Sequence, residues 1–145
     1  MLTSSHIVRL TGIALTLWAL ATACIHLWPR AFLDYTMAAL GFVISLPMAL
    51  LSVRLTRKLA GLEMSQLLAG VTLVGAIAMV IDGVMLRFVP WIYGSDDALL
   101  RAGAAWLLWG YGVSLAFAFL WVSREERNAL PEKRRGGRTP EGTPA

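Results

Sequence analysis

Four apolar stretches constrain this chain more than any other feature, because each is long enough to need a solvent other than water. They run from Ile7 to Trp28, Thr36 to Val53, Leu67 to Val89 and Ala102 to Val122. A helix rises ~1.5 Å per residue, so about 20 apolar residues cross a hydrocarbon core ~30 Å thick. The runs are continuous rather than alternating, and an open sheet edge in lipid leaves backbone groups unpaired. The expected fold class is therefore all-α: a four-helix transmembrane bundle over residues 1–123, with a disordered basic tail over residues 124–145.

Composition agrees. Of 145 residues, 57% are hydrophobic and only 15% are charged, against roughly 45–50% and 25% in soluble domains. The net charge of +4 raises the question of nucleic acid, but the placement of the charges answers it better through topology. One side of the expected bundle carries Arg9, Arg54, Arg57, Lys58, Arg124, Arg127, Lys133, Arg134, Arg135 and Arg138; the other carries Arg30, Arg87 and Arg101. The positive-inside bias then puts both termini in the cytoplasm of a chain that crosses its membrane several times. No nucleic-acid partner is needed. The tail's basic cluster is expected to lie near anionic lipid.

Cys24 is the only cysteine, so no internal disulfide forms and dithiol exchange chemistry is excluded. The stretch Leu20-Ala21-Thr22-Ala23-Cys24 has the look of a signal peptide ending at a lipid-modified cysteine. However, Ala21 stands where such signals carry leucine, and the chain stays apolar through Ile25, Leu27 and Trp28. An uncleaved first helix fits better.

Punctuation falls between the runs. Trp28-Pro29-Arg30 stops the first helix at an interface-type residue, and Pro47 removes a backbone donor from the second and is expected to bend it near its cytoplasmic half. The segment Arg87 to Gly94 is aromatic and holds Pro90, as expected at headgroup level. Ser95 is a candidate cap for the fourth helix, with Asp96 and Asp97 complementing its positive end and Asp97 spaced to reach Arg101.

Helices in lipid associate through small residues that let backbones approach. Such stripes read Gly12, Thr16, Ala19, Ala23 and His26 in the first helix, Gly41, Ser45, Ala49 and Ser52 in the second, and Gly103, Gly110, Ser114 and Ala118 in the fourth. The third places Gly75, Ala78 and Asp82 on one face, which predicts an inward Asp82. A carboxylate at membrane depth costs ~2.5–3.5 kcal/mol on insertion scales and needs a partner, a proton or water. Asp82, His26 and Arg87 are the candidate ligand- or proton-binding residues; a structural hydrogen bond from Asp82 to a neighbouring helix is the competing reading. Trp106, Trp109 and Tyr111 form a possible aromatic box, set against ordinary packing. No catalytic residue set, metal-ligand spacing or cofactor loop is present, so no cofactor is expected.

The run from Ile81 to Gly94, followed by Gly103-Ala104-Ala105-Trp106-Leu107-Leu108-Trp109-Gly110-Tyr111-Gly112, resembles the bacterial family called domain of unknown function 5367. The resemblance extends to Leu46-Pro47-Met48, and departs from the family where Val89 stands between Phe88 and Pro90. It implies a small four-helix membrane protein with Asp82 and Trp109 inside its motifs, and implies no activity.

Three functions compete at this point. The first expectation is an accessory or assembly protein, packing as a homo-oligomer or in a larger membrane complex. The alternative is a small-molecule or proton-linked carrier using Asp82. An enzyme acting on a lipid or quinone through His26 and Asp82 ranks last, since acid–base groups alone do not define a reaction.

Overall fold

The structure, a computed structural model, describes residues 2–136, with side chains through Asn128. It is all-helical among the described residues. The elements are α1 (Ser4–Leu27), a short α2 (Pro29–Leu33), α3 (Tyr35–Ala60), α4 (Met64–Phe88), a 3-10 turn (Pro90–Ile92) and α5 (Asp97–Gly136). Four of the helices are long and apolar enough to cross a membrane.

Each boundary has a local cause. Thr3 caps α1 by accepting from the His6 amide while its own amide donates to His6 Nδ1. Proline at Pro29 ends α1 and opens α2, where its missing N–H is no loss. Asp34 Oδ1 accepts from the Met37 amide at 2.9 Å and starts α3. That helix closes at Gly61, whose φ of 70° is left-handed, so the amides of Gly61 and Leu62 both reach the Arg57 carbonyl. Asp96, rather than Ser95, caps α5: its Oδ1 accepts from the amides of Ala98 at 2.6 Å and Leu99 at 3.3 Å. Asp97 and Arg101 form no ion pair.

The long helices run up and down, so α1, α3, α4 and α5 share two ends: a Tyr93 end and a Gly61 end. Helix α4 is the inner member, packed on α1 and α5, while α3 packs mainly on α5 and the short α2. At the Tyr93 end, Ile25, Tyr93, Leu99 and Leu107 form one core cluster. Leu10, Ala14, Ala60, Leu62 and Val74 form another at the Gly61 end, beside Val53, Leu67, Val71 and Ala118. Gly103 lets α5 approach α1 closely, since a β-carbon there would stand 3.1 Å from Ile25.

Two expectations change. The stripe Gly12, Thr16, Ala19, Ala23 and His26 lies on the exposed face of α1, and the buried face carries Leu10, Ala14, Thr22 and Ile25 instead. Helix α5 also continues past Val122 to Gly136, across the start of the stretch expected to be a disordered tail. The residues there, among them Glu125, Glu126, Arg127 and Ala129, are mostly good helix formers, and an existing helix extends more easily than one begins. Residues 137–145 lie outside the described residues, as do the side chains of the basic cluster Lys133, Arg134, Arg135 and Arg138 that was expected to meet anionic lipid.

The outer surface is unusual for a water-soluble chain. Val8, Val43, Val80 and Leu108 are each more than 60% exposed and lie on four different helices.

Candidate functional site

Asp82 sits on α4 six residues before its last residue, Phe88, roughly 9 Å from the end of the helix at 1.5 Å per residue. The Gly75, Ala78, Asp82 face is buried, and Asp82 itself is only 4% exposed. Its partners are two tyrosines. The Tyr93 hydroxyl donates to Oδ1 and the Tyr111 hydroxyl donates to Oδ2. Both hydroxyls donate, so the carboxyl group acts as acceptor on both oxygens.

Tyr93 reaches this position because the chain turns back after α4. The Val89 amide closes on the Met85 carbonyl, the 3-10 turn reverses direction, and Tyr93 and Gly94 both bond to the Pro90 carbonyl. The Tyr93 ring then lies fully buried under the end of α4. Its oxygen also accepts from Trp18 Nε1 of α1 at 3.2 Å. A chain of hydrogen bonds, Trp18 to Tyr93 to Asp82 with Tyr111 joining from the far side, therefore ties α1, the turn, α4 and α5 together. Thr22, one turn along α1 from Trp18, is also buried, and its hydroxyl has no hydrogen-bond partner.

Burial first, and then the hydrogen bond to Asp82, push the Tyr93 hydroxyl up to about 12 from its ordinary 10.0. The folded chain thus holds a proton that the unfolded chain releases above pH 10. Stability from this group is complete below that value and is lost as pH rises through about 12. Denaturation followed across that window should show a steeper alkaline loss for the wild type than for Tyr93→Phe; equal slopes would mean that Tyr93 does not carry the effect.

The other two candidates stand apart. His26 is exposed on the last turn of α1, and Arg87 is exposed with its guanidinium 5.8 Å from the Phe88 ring centre. Neither is bonded to Asp82. The carboxyl group is satisfied by tyrosines because they reach it from inside the bundle, whereas residues 26 and 87 face outward.

The three aromatics of α5 also separate. Trp106 meets Phe32 edge-on at 5.4 Å between ring centres. Trp109 Nε1 donates to Ser45 Oγ at 2.9 Å and to the Phe42 carbonyl at 3.2 Å, tying α5 to α3. Tyr111 serves Asp82. They make no single cage.

Beside this network lies a cavity of about 660 Å³. Its walls come from α1, α3, α4 and α5, with Ala78 and Gly75 on α4 and Gly110 and Tyr111 on α5. Trp18 and Tyr111 both line it while bonding to the Tyr93–Asp82 pair, so the polar network forms the far side of an apolar wall. Its rims are Leu20 on α1 and Ile44 and Met48 on α3, each about 60% exposed. The opening therefore faces sideways, between α1 and α3, which pack on one another far less than either packs on its main partner.

The polar lining groups are mostly occupied. Ser45 donates to the Phe42 carbonyl and Ser52 to the Ala49 carbonyl, while Tyr111 is held by Asp82. Such walls suit a neutral, apolar guest. Among the described residues no group of His, Cys, Asp and Glu is arranged to hold a metal ion.

No family model, curated protein or solved structure matches this chain.

Proposed function

We propose that this chain is a four-helix integral membrane protein that takes up a neutral, apolar molecule from the bilayer into the cleft between α1 and α3. The observation that carries the reading is the cavity of about 660 Å³ with apolar walls and a sideways mouth edged by Leu20, Ile44 and Met48. That volume falls inside the usual range of ligand pockets, ~300–1,000 Å³. A mouth between helices gives a lipid-soluble guest a path that never crosses water.

Embedding in a membrane is supported by the four long apolar helices and by exposed valines and leucines that lipid solvates without penalty. The Gly61 end gathers Arg9, Arg54, Arg57 and Lys58, which favours the cytoplasmic side for that end and for both termini. A bacterial inner membrane is the setting that the family resemblance implies. In this reading Asp82 is a positioning residue. It fixes Tyr111 directly and Trp18 through Tyr93, and those two side chains shape the cavity wall.

The test is photolabelling in lipid nanodiscs with a neutral long-chain alcohol carrying a diazirine. Label should concentrate on cavity residues such as Trp18, Ala78 and Ala105, and unlabelled alcohol should compete it away. Label spread evenly over Val8, Val43 and Val80, with no competition, would remove the proposal.

A second reading, an accessory protein that packs in a homo-oligomer or a larger membrane complex, is favoured by the outward stripe on α1. A β-carbon at Gly12 would meet nothing within 4 Å, so a neighbouring helix has room to approach there. Purification in mild detergent separates the two: the carrier reading needs only the chain and its guest, while the accessory reading requires a co-purifying helix.

A further inference from the structure

At the Gly61 end, away from the cleft, a second pocket of about 390 Å³ is lined by Arg54, Arg57, Lys58, Gly61, Leu62 and Trp121. Arg54, Arg57 and Lys58 are spaced three and four residues apart, which puts three positive charges on one face of α3. Arg9 of α1 arrives from the other side, its guanidinium 3.6 Å from where a β-carbon on Gly61 would stand. Three cations of α3 thus line one basin, and a fourth from α1 stands beside Gly61 at its edge. None of them has a carboxylate partner among the described residues.

Trp121 of α5 sharpens the arrangement. The guanidinium groups of Arg54 and Arg57 each lie 5.7 Å from the centre of its ring. The ring attracts each cation, and so holds two like charges near one aromatic group. An anion placed between them removes that repulsion.

The carbonyl end of α3 explains why Arg57 and Lys58 are basic. It does not explain why Arg54 turns to the same pocket, nor why two guanidinium groups share one ring. An orientation signal requires only that the charges stay on one side of the membrane.

We propose that this basin binds the phosphate of an anionic lipid headgroup. Phosphate matches the charge and offers several acceptor oxygens to guanidinium donors. A lipid source is favoured over free phosphate by Leu51, Leu55 and Leu59, which continue along α3 at four-residue spacing and are each more than 40% exposed. That strip gives acyl chains an apolar track leading from the basin. The inference rests on the membrane embedding proposed above and is independent of the cleft and its guest.

Native mass spectrometry of the full chain, released from detergent with phosphatidylglycerol or phosphatidylcholine added, tests it. The wild type should retain phosphatidylglycerol over phosphatidylcholine, and Arg54→Gln with Arg57→Gln should weaken that retention about tenfold. A control pair at the opposite end, Arg30→Gln with Arg101→Gln, removes the same charge and should leave retention unchanged. Equal losses in both pairs, or equal retention of the two lipids, would overturn the site. Should the first pair not assemble, Arg57→Gln alone must still weaken retention severalfold, and an unchanged value overturns the proposal. Displacement of the lipid by millimolar inorganic phosphate would assign the basin to the free anion and reject the lipid. A chain that stays in solution without detergent would instead remove the embedding itself.

Discussion

Asp82→Ala should lower the stability of the folded chain by about 2–4 kcal/mol. Single side-chain hydrogen bonds between membrane helices average ~0.6 kcal/mol and reach ~1.7. Bonds to a carboxylate are roughly twice as strong as neutral ones. Asp82 takes two, from Tyr93 and Tyr111, and both hydroxyls would be left inside the bundle without an acceptor. A buried donor left unpaired is costlier than a bond never made. Asp82→Asn keeps the size and one acceptor oxygen, so about half the loss is expected, ~1–2 kcal/mol.

Reversible unfolding in mixed detergent micelles measures these values, and a cycle with Tyr111→Phe isolates the pair. If Tyr111→Phe changes nothing once Asp82 is alanine, the two residues act through each other. The informative failure is an asparagine variant as stable as the wild type or more so. Function is often retained at the expense of stability, and that result would move Asp82 from a structural tie to a proton-linked group and put the carrier alternative first.

The helices were legible in the sequence because long unbroken apolar runs admit few other structures. A run of about 20 such residues suits a spanning helix, and the four long helices of the structure cover the runs that composition marks to within one residue. The buried face of α4 was also legible, since Gly75, Ala78 and Asp82 combine small size with one costly polar group. On α1 the same rule pointed the wrong way. Gly12 and Ala14 are two residues apart, about 200° around a helix of 3.6 residues per turn. The small stripe and the buried face are therefore nearly opposite. In a helix that is apolar all round, polarity cannot mark the inside, and small residues fit either an inner contact or an outer one.

The partners of Asp82 were hidden for a different reason. Trp18 and Tyr93 are 75 positions apart and meet only because the 3-10 turn folds Tyr93 beneath α4. A loop rich in aromatics and proline announces an interface, and nothing in its spacing tells that one tyrosine turns inward. Tyr111 was visible as one of three aromatics, but their separate contacts with Phe32, Ser45 and Asp82 depend on the rotation of α5. At Ser123 the composition turns from apolar to charged, and the backbone of α5 has no reason to stop there.

The cleft gives the other large effect, and its sign distinguishes a binding site from a loosely packed bundle. Gly41 and Gly110 face the cavity from α3 and α5, and a β-carbon on either would meet nothing within 4 Å. Leucine at both positions enters the cavity from two walls without pushing on backbone. Glycine inside a helix is also less favourable than most residues by roughly 0.5–1 kcal/mol, so each replacement should stabilise the helix that bears it. The double variant Gly41→Leu with Gly110→Leu is therefore expected to unfold at the same temperature as the wild type or higher, while competable photolabelling by the diazirine alcohol falls about tenfold or more, a change of ~1.4 kcal/mol or more in guest binding. Gly103→Leu supplies the contrast, because its β-carbon would stand 3.1 Å from Ile25 and the added bulk must force α1 and α5 apart. It should lose stability. If the double variant also loses stability, the space between α1 and α3 closes in the membrane and no guest has room there. If it gains stability and labelling persists, the alcohol binds the outer surface of the helices. Only a gain or no change in stability together with the loss of labelling fits a cleft kept open for a guest, since an unoccupied gap in a packed interior would only forfeit contacts.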